Sequence, residues 1–137
     1  MTASVFFSSD VANPDTYTKF YADIQMYNNG MAQPDPEVFL RQFCSWEVAT
    51  KANKWQGRNI TRWTSEEYDK IYRAAQGELD PVKRAAMFIR LNDMVVNEAV
   101  VPVVYRPRVS AVSGKLHISS SGWDNDLFDL RNWWRDA

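Results

Sequence analysis

The chain has 137 residues, which is enough to bury one hydrophobic core and corresponds to about one domain. Its formal net charge of −1 gives no electrostatic reason to expect nucleic acid or an anionic membrane as a partner. One cysteine excludes an internal disulfide, and no run of apolar residues is long enough for a transmembrane helix. Aromatic residues are abundant at 14%, and the six tryptophans among them are candidates for packing or ligand contact.

The first third of the chain predicts a strand, a loop and a short helix. From Phe20 to Tyr27, side chains alternate between two faces, which favours a half-buried strand. Asn28-Asn29-Gly30 ends that pattern and predicts a loop that runs to Pro34. Asp35-Pro36 is typical of a helix start. The apolar face of the helix that follows is formed by Phe39, Leu40, Phe43 and Cys44.

Residues 45–63 are polar and irregular, and a helix is predicted directly after them. Thr64 to Glu67 has the form of a capping box, and Gly77 is a suitable end for the helix that this box starts. Apolar side chains in between recur at spacings of three and four residues, which is typical of one face of an α-helix. That face contains Tyr68, Ile71, Tyr72 and Ala75.

A second helix and a short strand are predicted next. Asp80-Pro81 starts the helix, whose apolar stripe is predicted to contain Ala85, Phe88, Ile89 and Val96. The β-branched run from Val100 to Tyr105 predicts a buried strand at an edge of its sheet, because Pro102 lacks an amide donor. Residues 108–113 are candidates for another short strand. This alternation of helix and strand indicates packed α/β structure.

Residues suited to catalysis or metal binding are sparse. The single histidine, His117, does not make a multi-histidine metal site, and Cys44 has no partner for a CxxC motif. The chain contains neither a glycine-rich phosphate loop nor a nucleophile elbow. Neighbouring carboxylates such as Asp124 and Asp126 are typical of helix caps and solvated surface. We therefore expect neither an enzyme nor a bound cofactor or metal.

Two stretches are candidates for ligand contact. The first is the predicted strand end and loop from Tyr27 to Ala32, where amide side chains and exposed backbone offer directional hydrogen bonds. Its alternative is a plain Asn-Asn-Gly turn. The second is the set of tryptophans in the irregular segment, of which Trp46 is the candidate because an exposed indole offers a large flat apolar face. Its alternative is packing in the core. The tryptophans predicted to serve packing near the end of the chain are Trp123, Trp133 and Trp134.

One stretch also carries a family resemblance. Residues 63–107 have the pattern WxSEEYDxxYxxAxxELDPxKRAxxFxxxNDxVxxxxVVPVVYRP, with PDPEVFLRQFCS before it and WDNDLFDLRNWWRD after it. This ordered set resembles the C-terminal part of the bacterial extracellular solute-binding proteins of family 5, which serve ABC importers of peptides. Members of that family are several times longer than this chain, so the resemblance implies a C-terminal fragment of a longer protein.

The resemblance implies a fold class of α/β (mixed α+β), forming the C-terminal part of a two-lobed fold like that of type II periplasmic binding proteins. Residues 1–100 are then part of the second, C-terminal ligand-binding lobe, and residues 101–137 return toward the first lobe. The implied function is non-catalytic capture of a peptide-like small solute between the lobes, for delivery to ABC permease subunits in the membrane. The parent protein is expected to be periplasmic, or extracellular and lipid-anchored, although no export signal opens this chain.

The resemblance also places the loop after the predicted strand in the cleft between the lobes. Tyr27, Asn28, Asn29 and Gly30 therefore join Trp46 as predicted ligand-binding residues. Peptide-binding relatives often have an aspartate in this loop to meet the ammonium group of the peptide. This chain has no carboxylate there, so sugars and modified peptides are candidates as well. Because half of such a cleft is missing, we expect weak or absent binding by these residues alone.

Two other classes of function stay open at this point. An autonomous, aromatic-rich carbohydrate-binding module would need several tryptophans exposed on one face and would bind polysaccharide without a second lobe. A small hydrolase would show turnover that single carboxylate substitutions abolish. The expected partners therefore depend on the class of function. Under the resemblance they are a solute, the ABC permease and the remaining lobes of the parent protein. Nucleic acid is not expected as a partner in any of these three classes.

Overall fold

The computed structural model describes residues 1–10, 12–31, 33–105, 107, 109–119 and 129–137. Within them the helices are α1 (Ala3–Phe6), α2 (Glu37–Leu40), α3 (Glu66–Gly77) and α4 (Pro81–Glu98). Single 3-10 turns cover Arg41–Phe43, Ser45–Glu47 and Leu130–Asn132. Two short strands, β1 (Leu116–His117) and β2 (Trp134–Arg135), pair antiparallel. The described chain therefore combines helices with a small two-stranded sheet, which is compatible with the broad mixed α/β class. The division into lobe segments at residue 100 stays a prediction.

Local capping signals decide where α3 and α4 begin and end. The hydroxyl of Ser65 accepts a hydrogen bond from the amide of Tyr68 and caps α3. The prediction that Thr64 is this cap is wrong by one residue, because the chain enters its first helical turn only after Ser65. Asp80 caps α4 through its carboxylate, with proline as the first helical residue. The predicted end of α3 at Gly77 is confirmed.

The hydrophobic core lies where α3 and α4 pack on each other and on α2 with its 3-10 extension. The hydroxyls of Tyr68 and Tyr72 donate to the carbonyl oxygens of Leu40 and Glu37 at 2.7 and 3.0 Å. Both rings are thus buried with their polar atoms paired. The predicted apolar faces of α2 and α3 are confirmed, with these residues buried in the core: Leu40, Phe43, Cys44, Tyr68, Tyr72 and Ala75.

The apolar stripe predicted for α4 is largely wrong. Phe88 is buried as predicted, whereas Ile89 and Val96 are exposed. Ala85 is exposed as well. The face that packs against α3 instead contains Phe88, Leu91, Met94 and Val95. A helix with apolar side chains on more than one side does not reveal from its own periodicity which side meets a neighbour. The packing of α3 against α4 decides which side of α4 is buried.

The strands predicted before and after the helices, at residues 20–27 and 100–105, do not form. Residues 20–27 have no regular structure, and Phe20 lies in the left-handed region with φ 41°, which interrupts an extended chain. Residues 100–105 have no regular secondary structure, and Val103 and Val104 face solvent. Residues 109–113 are not a strand either. A strand is stabilised by pairing with a neighbour, and the described residues provide none for these segments.

The C-terminal hairpin is held by side-chain contacts as much as by its short ladder. The rings of His117 and Trp134 stack at a centroid distance of 3.7 Å. The indole nitrogen of Trp133 donates to the carbonyl oxygen of Ser119 at 3.1 Å, whereas Trp134, which also has a predicted packing role, is 58% exposed. Trp123, which shares that prediction, lies outside the described residues. No helix in the described ranges is long and apolar enough to cross a membrane.

Candidate functional site

A cavity with a volume of about 570 Å³ lies beside α2. Its walls come from the segment before α2, from the α2 region and from the loop at residues 55–58. Aromatic rings and side-chain amides dominate the lining. The aromatic members are Phe7, Tyr17, Tyr27, Phe39 and Trp55. The amide members are Asn28, Asn29, Gln33, Gln42 and Gln56. Such a mixture suits a solute that has both apolar groups and hydrogen-bonding groups.

The predicted ligand loop forms one side of this cavity. Tyr27, Asn28, Asn29 and Gly30 all contribute to the lining. The side-chain amide of Asn29 donates to Oε1 of Gln42 at 2.8 Å and thereby fastens the loop to the helical core. Among the described residues, the side-chain amide of Asn28 has no hydrogen-bond partner. The loop therefore has one amide that holds it in place and one that is available to a ligand.

Tyr27 is part of an aromatic group on the same wall. Its ring centroid lies 5.7 Å from that of Tyr17 and 6.4 Å from that of Phe6. Burial, followed by the nearby Tyr17 phenol, raises the pKa of Tyr27 above its ordinary value. Its hydroxyl consequently stays protonated at neutral pH and can donate a hydrogen bond as well as accept one.

Trp46 does not take part in this cavity, and Trp55 does. The Trp46 ring packs edge-on against Tyr72 at 5.9 Å, and the guanidinium of Arg73 lies 4.7 Å from its centroid. The structure thus separates Trp46 from the other four predicted ligand-binding residues. Trp63 is a packing residue, since its ring meets Tyr68 at 5.2 Å at the edge of the core.

Trp55 was not predicted as a ligand-contact residue, because its place in the cavity wall depends on an unusual backbone conformation. Lys54 and Trp55 both have left-handed φ angles, of 54° and 61°. Residues other than glycine adopt this region at a cost of order 1–3 kcal/mol, so the surrounding structure must stabilise the turn. The guanidinium of Arg62 lies 5.5 Å from the Trp55 ring. No periodicity or short motif in the sequence signals such a turn.

The loop that carries Trp55 is attached to the core by Asn59 and Gly57. The buried side-chain amide of Asn59 donates to the carbonyl oxygens of Phe43 and Cys44, both at 3.2 Å, and to that of Trp63 at 2.8 Å. At Gly57 the backbone passes so close to residue 47 that an added Cβ would lie 2.2 Å from the carbonyl oxygen of Glu47. Asn59 and Gly57 therefore hold one wall of the cavity in place.

The two charged residues in the cavity lining, Asp35 and Arg58, differ in their pairing. Asp35 accepts a hydrogen bond from the amide of Glu37 at 2.9 Å, but the N-cap of α2 is Pro36, so the predicted cap is wrong by one residue. The guanidinium of Arg84 lies 3.0 Å from the Asp35 carboxylate and 2.9 Å from that of Glu37. The hydrogen bond from Arg84, and then that from the Glu37 amide, lower the pKa of Asp35 below its ordinary value. The side chain of Arg58 has no ion-pair or hydrogen-bond partner within the described part of the chain.

Cys44 and His117 lie in surroundings that serve structure. Burial, with the charges of Asp69 and Glu47, raises the pKa of the Cys44 thiol to about 12, so it is not a thiolate at neutral pH. Nε2 of His117 lies 3.0 Å from a carboxylate oxygen of Asp136 in the C-terminal hairpin. The described ranges hold no group of three or more histidine, cysteine or acidic side chains placed to bind a metal ion. Asp124 and Asp126 lie outside those ranges, as does Ala32.

Comparison with known proteins identifies no relative of this chain. No protein-family model, no curated protein and no solved structure shows a significant match to the chain.

Proposed function

We propose that this chain is part of the C-terminal ligand-binding lobe of an extracellular solute-binding protein that serves an ABC importer. It contributes to the non-catalytic capture of a peptide-like small solute, which the parent protein delivers to permease subunits in the membrane. One observation carries the proposal. Four residues chosen from the sequence as ligand contacts, Tyr27, Asn28, Asn29 and Gly30, line the same cavity.

The chemistry of the cavity supports binding of a small polar solute. Its aromatic rings offer flat apolar surface, and its amide side chains offer both donors and acceptors. Asn29 is engaged with Gln42, so that wall is already ordered before a ligand arrives. A preordered wall reduces the conformational entropy that binding must overcome. Asn28 and the neutral hydroxyl of Tyr27 are the groups best placed to meet the solute.

The pairing of Asp35 bears on which solute is captured. The guanidinium of Arg84 pairs with the Asp35 carboxylate and neutralises its charge. The ammonium group of a free peptide would have to compete with a guanidinium that already makes a charge-assisted hydrogen bond. A solute whose amino group is absent, modified or directed elsewhere therefore suits the cavity better than an ordinary peptide amino terminus.

The exposed segment after α4 supports the idea that another part of a parent protein completes the fold. Val101, Val103, Val104 and Tyr105 are all exposed, although their composition is that of a buried strand. A run of large apolar side chains on a surface typically contacts another protein surface. In the proposed parent this surface belongs to the first lobe. Closure of the two lobes over the solute then stabilises the bound state.

The alternative of a carbohydrate-binding module has less support from the tryptophan environments. Sugar binding by aromatic stacking needs an open ring face. Arg73 lies over one face of the Trp46 ring and His117 over one face of the Trp134 ring, while the two side chains are 42% and 58% exposed. The remaining described tryptophans line the cavity, pack at the core or belong to the C-terminal hairpin, which does not amount to a common sugar-binding platform.

The test of the proposed function is the coding DNA upstream of the Met1 codon. We expect a continuous reading frame of several hundred codons that opens with a basic and then apolar export leader. Expression of that full frame then provides the two-lobed protein for ligand identification. A stop codon and ribosome-binding site directly before Met1 would contradict the two-lobe proposal and favour an autonomous binding module.

A further inference from the structure

Arg58 is a cation in the cavity lining whose charge no described residue neutralises. The other charged residue of the lining, Asp35, is paired with Arg84. The charge that the cavity presents to a solute is therefore positive. An arginine guanidinium forms strong, paired hydrogen bonds with carboxylates because its donors match the geometry of the two oxygens.

The backbone that carries Arg58 is held on both sides. Its neighbour Asn59 donates from its amide to the carbonyl oxygen of Glu47 at 2.7 Å and accepts at its own carbonyl from the amide of Ala49 at 3.0 Å. On the other side Gly57 packs directly against the backbone of Glu47. The side chain of Arg58 therefore starts from a fixed position, while its own exposure leaves the guanidinium free to reach a solute.

Trp55, on the same loop, links this cavity to a second one. The adjoining cavity has a volume of about 320 Å³, and Trp55 is one of the residues that line both cavities. Its lining adds the exposed Lys54, the buried Lys19, whose ammonium donates to the carbonyl oxygen of Asn13, and the acid Asp10. The Asp10 carboxylate accepts a hydrogen bond from the amide of Ala12 at 2.8 Å. Trp55 therefore contacts the space on both sides of the loop that carries Arg58.

We propose that Arg58 and Trp55 form a subsite for a solute that bears a carboxylate next to an apolar group. The guanidinium of Arg58 pairs with the carboxylate, and the Trp55 ring packs against the adjoining apolar atoms. This inference rests on the proposed function, because it names the solute class of the same cavity. The carboxyl terminus of a peptide and a free organic acid share this chemistry, and the probes below distinguish them.

The experiment is a titration of the ¹⁵N-labelled chain, followed through the indole signal of Trp55 and the amide signals of Gly57 and Arg58. The free-acid probes are phenylacetate and its neutral counterpart phenylacetamide. The peptide probes are alanyl-phenylalanine and its C-terminal amide. The variant is Arg58→Gln, which removes the charge of an exposed side chain and preserves its length and polarity in part. The matched control is Arg131→Gln, because Arg131 is exposed and lies outside both cavity linings.

We expect weak but detectable binding by this chain alone. The unmodified chain and Arg131→Gln should bind each acid about tenfold more tightly than its amide, and this preference should disappear in Arg58→Gln. Tighter binding of the dipeptide than of phenylacetate identifies a peptide carboxyl terminus as the source, and the reverse identifies a free acid. Equal binding of acid and amide by the unmodified chain, or a preference kept in Arg58→Gln, overturns the subsite and leaves solute capture standing. An absence of response to all four probes also overturns the subsite, whereas the upstream reading frame decides the proposed function separately.

Discussion

Val95 and Val104 are the same type of residue in two regions of this chain, and they differ in how much of the side chain is exposed. Val95 lies on α4 in the core and is 5% exposed, whereas Val104 lies in the segment after α4 and is 81% exposed. A helix satisfies its backbone hydrogen bonds internally and needs only a surface for its apolar face. An extended segment needs a partner for its backbone as well, and no described residue provides one. Both regions are apolar in composition, but only α4 is buried against a neighbour.

The largest effect that tests this comparison is expected at Leu91, which is fully buried on α4. Leu91→Ala should lower the free energy of unfolding by about 2–5 kcal/mol, because it removes buried atoms and leaves a cavity between the helices. Urea denaturation followed by circular dichroism measures it. The matched control is Ile89→Ala on the same helix, where the side chain is 63% exposed and a loss below about 1 kcal/mol is expected. Equal losses for the two variants would mean that the α4 face is assigned wrongly.

A smaller effect is expected where α2 is attached to α4 by the pairing of Asp35 with Arg84. The pKa of Asp35 is lowered in the folded chain, so its contribution to stability is present above its ordinary pKa of 3.8 and is lost as the pH falls through the lower folded value. Asp35→Asn should cost at most about 1 kcal/mol at neutral pH, because solvent screens this partly exposed pair.

Urea denaturation across the acid range checks the sign of this pH dependence. The difference between the unmodified chain and Asp35→Asn should shrink as the pH falls below 3.8. Asp23→Asn is the control, because no described residue forms an ion pair or hydrogen bond with that exposed side chain. A difference that grows toward low pH would contradict the assigned pairing.

The smallest effect is expected in the exposed segment itself. Val104→Ala should change the free energy of unfolding by no more than about 0.5 kcal/mol, as is usual for surface substitutions. Val95→Ala, the same change in the core, should be clearly destabilising. Backbone amides of residues 101, 103 and 104 should also exchange rapidly with solvent. A loss above about 1 kcal/mol at Val104 would show that this segment packs against the chain and needs no further lobe.

Trp46 and Trp55 show why the candidate site was only partly predictable. Both occur in an irregular, polar segment, and either indole is suited to ligand contact. Trp46 lies outside the cavity, edge-on to Tyr72 and beside Arg73, and is 42% exposed. Trp55 is turned to the cavity by left-handed backbone at two successive residues. The loop at Tyr27 was predicted because Asn-Gly turns have recognisable composition and because the family resemblance places this loop in a cleft, even though the predicted strand before it does not form.

Local features could be read from the sequence alone. The Asp80 cap of α4, the Gly77 end and the apolar face of α3 depend on groups within one or two helical turns, so the neighbouring residues carry the information. Other features depend on groups that are distant along the chain. The packing of α3 selected the buried side of α4, and Asn59 positioned the Trp55 loop through carbonyl groups as far as 16 residues away. Strand formation likewise depends on a partner, and for that reason the two apolar segments beside the helices stayed unpaired.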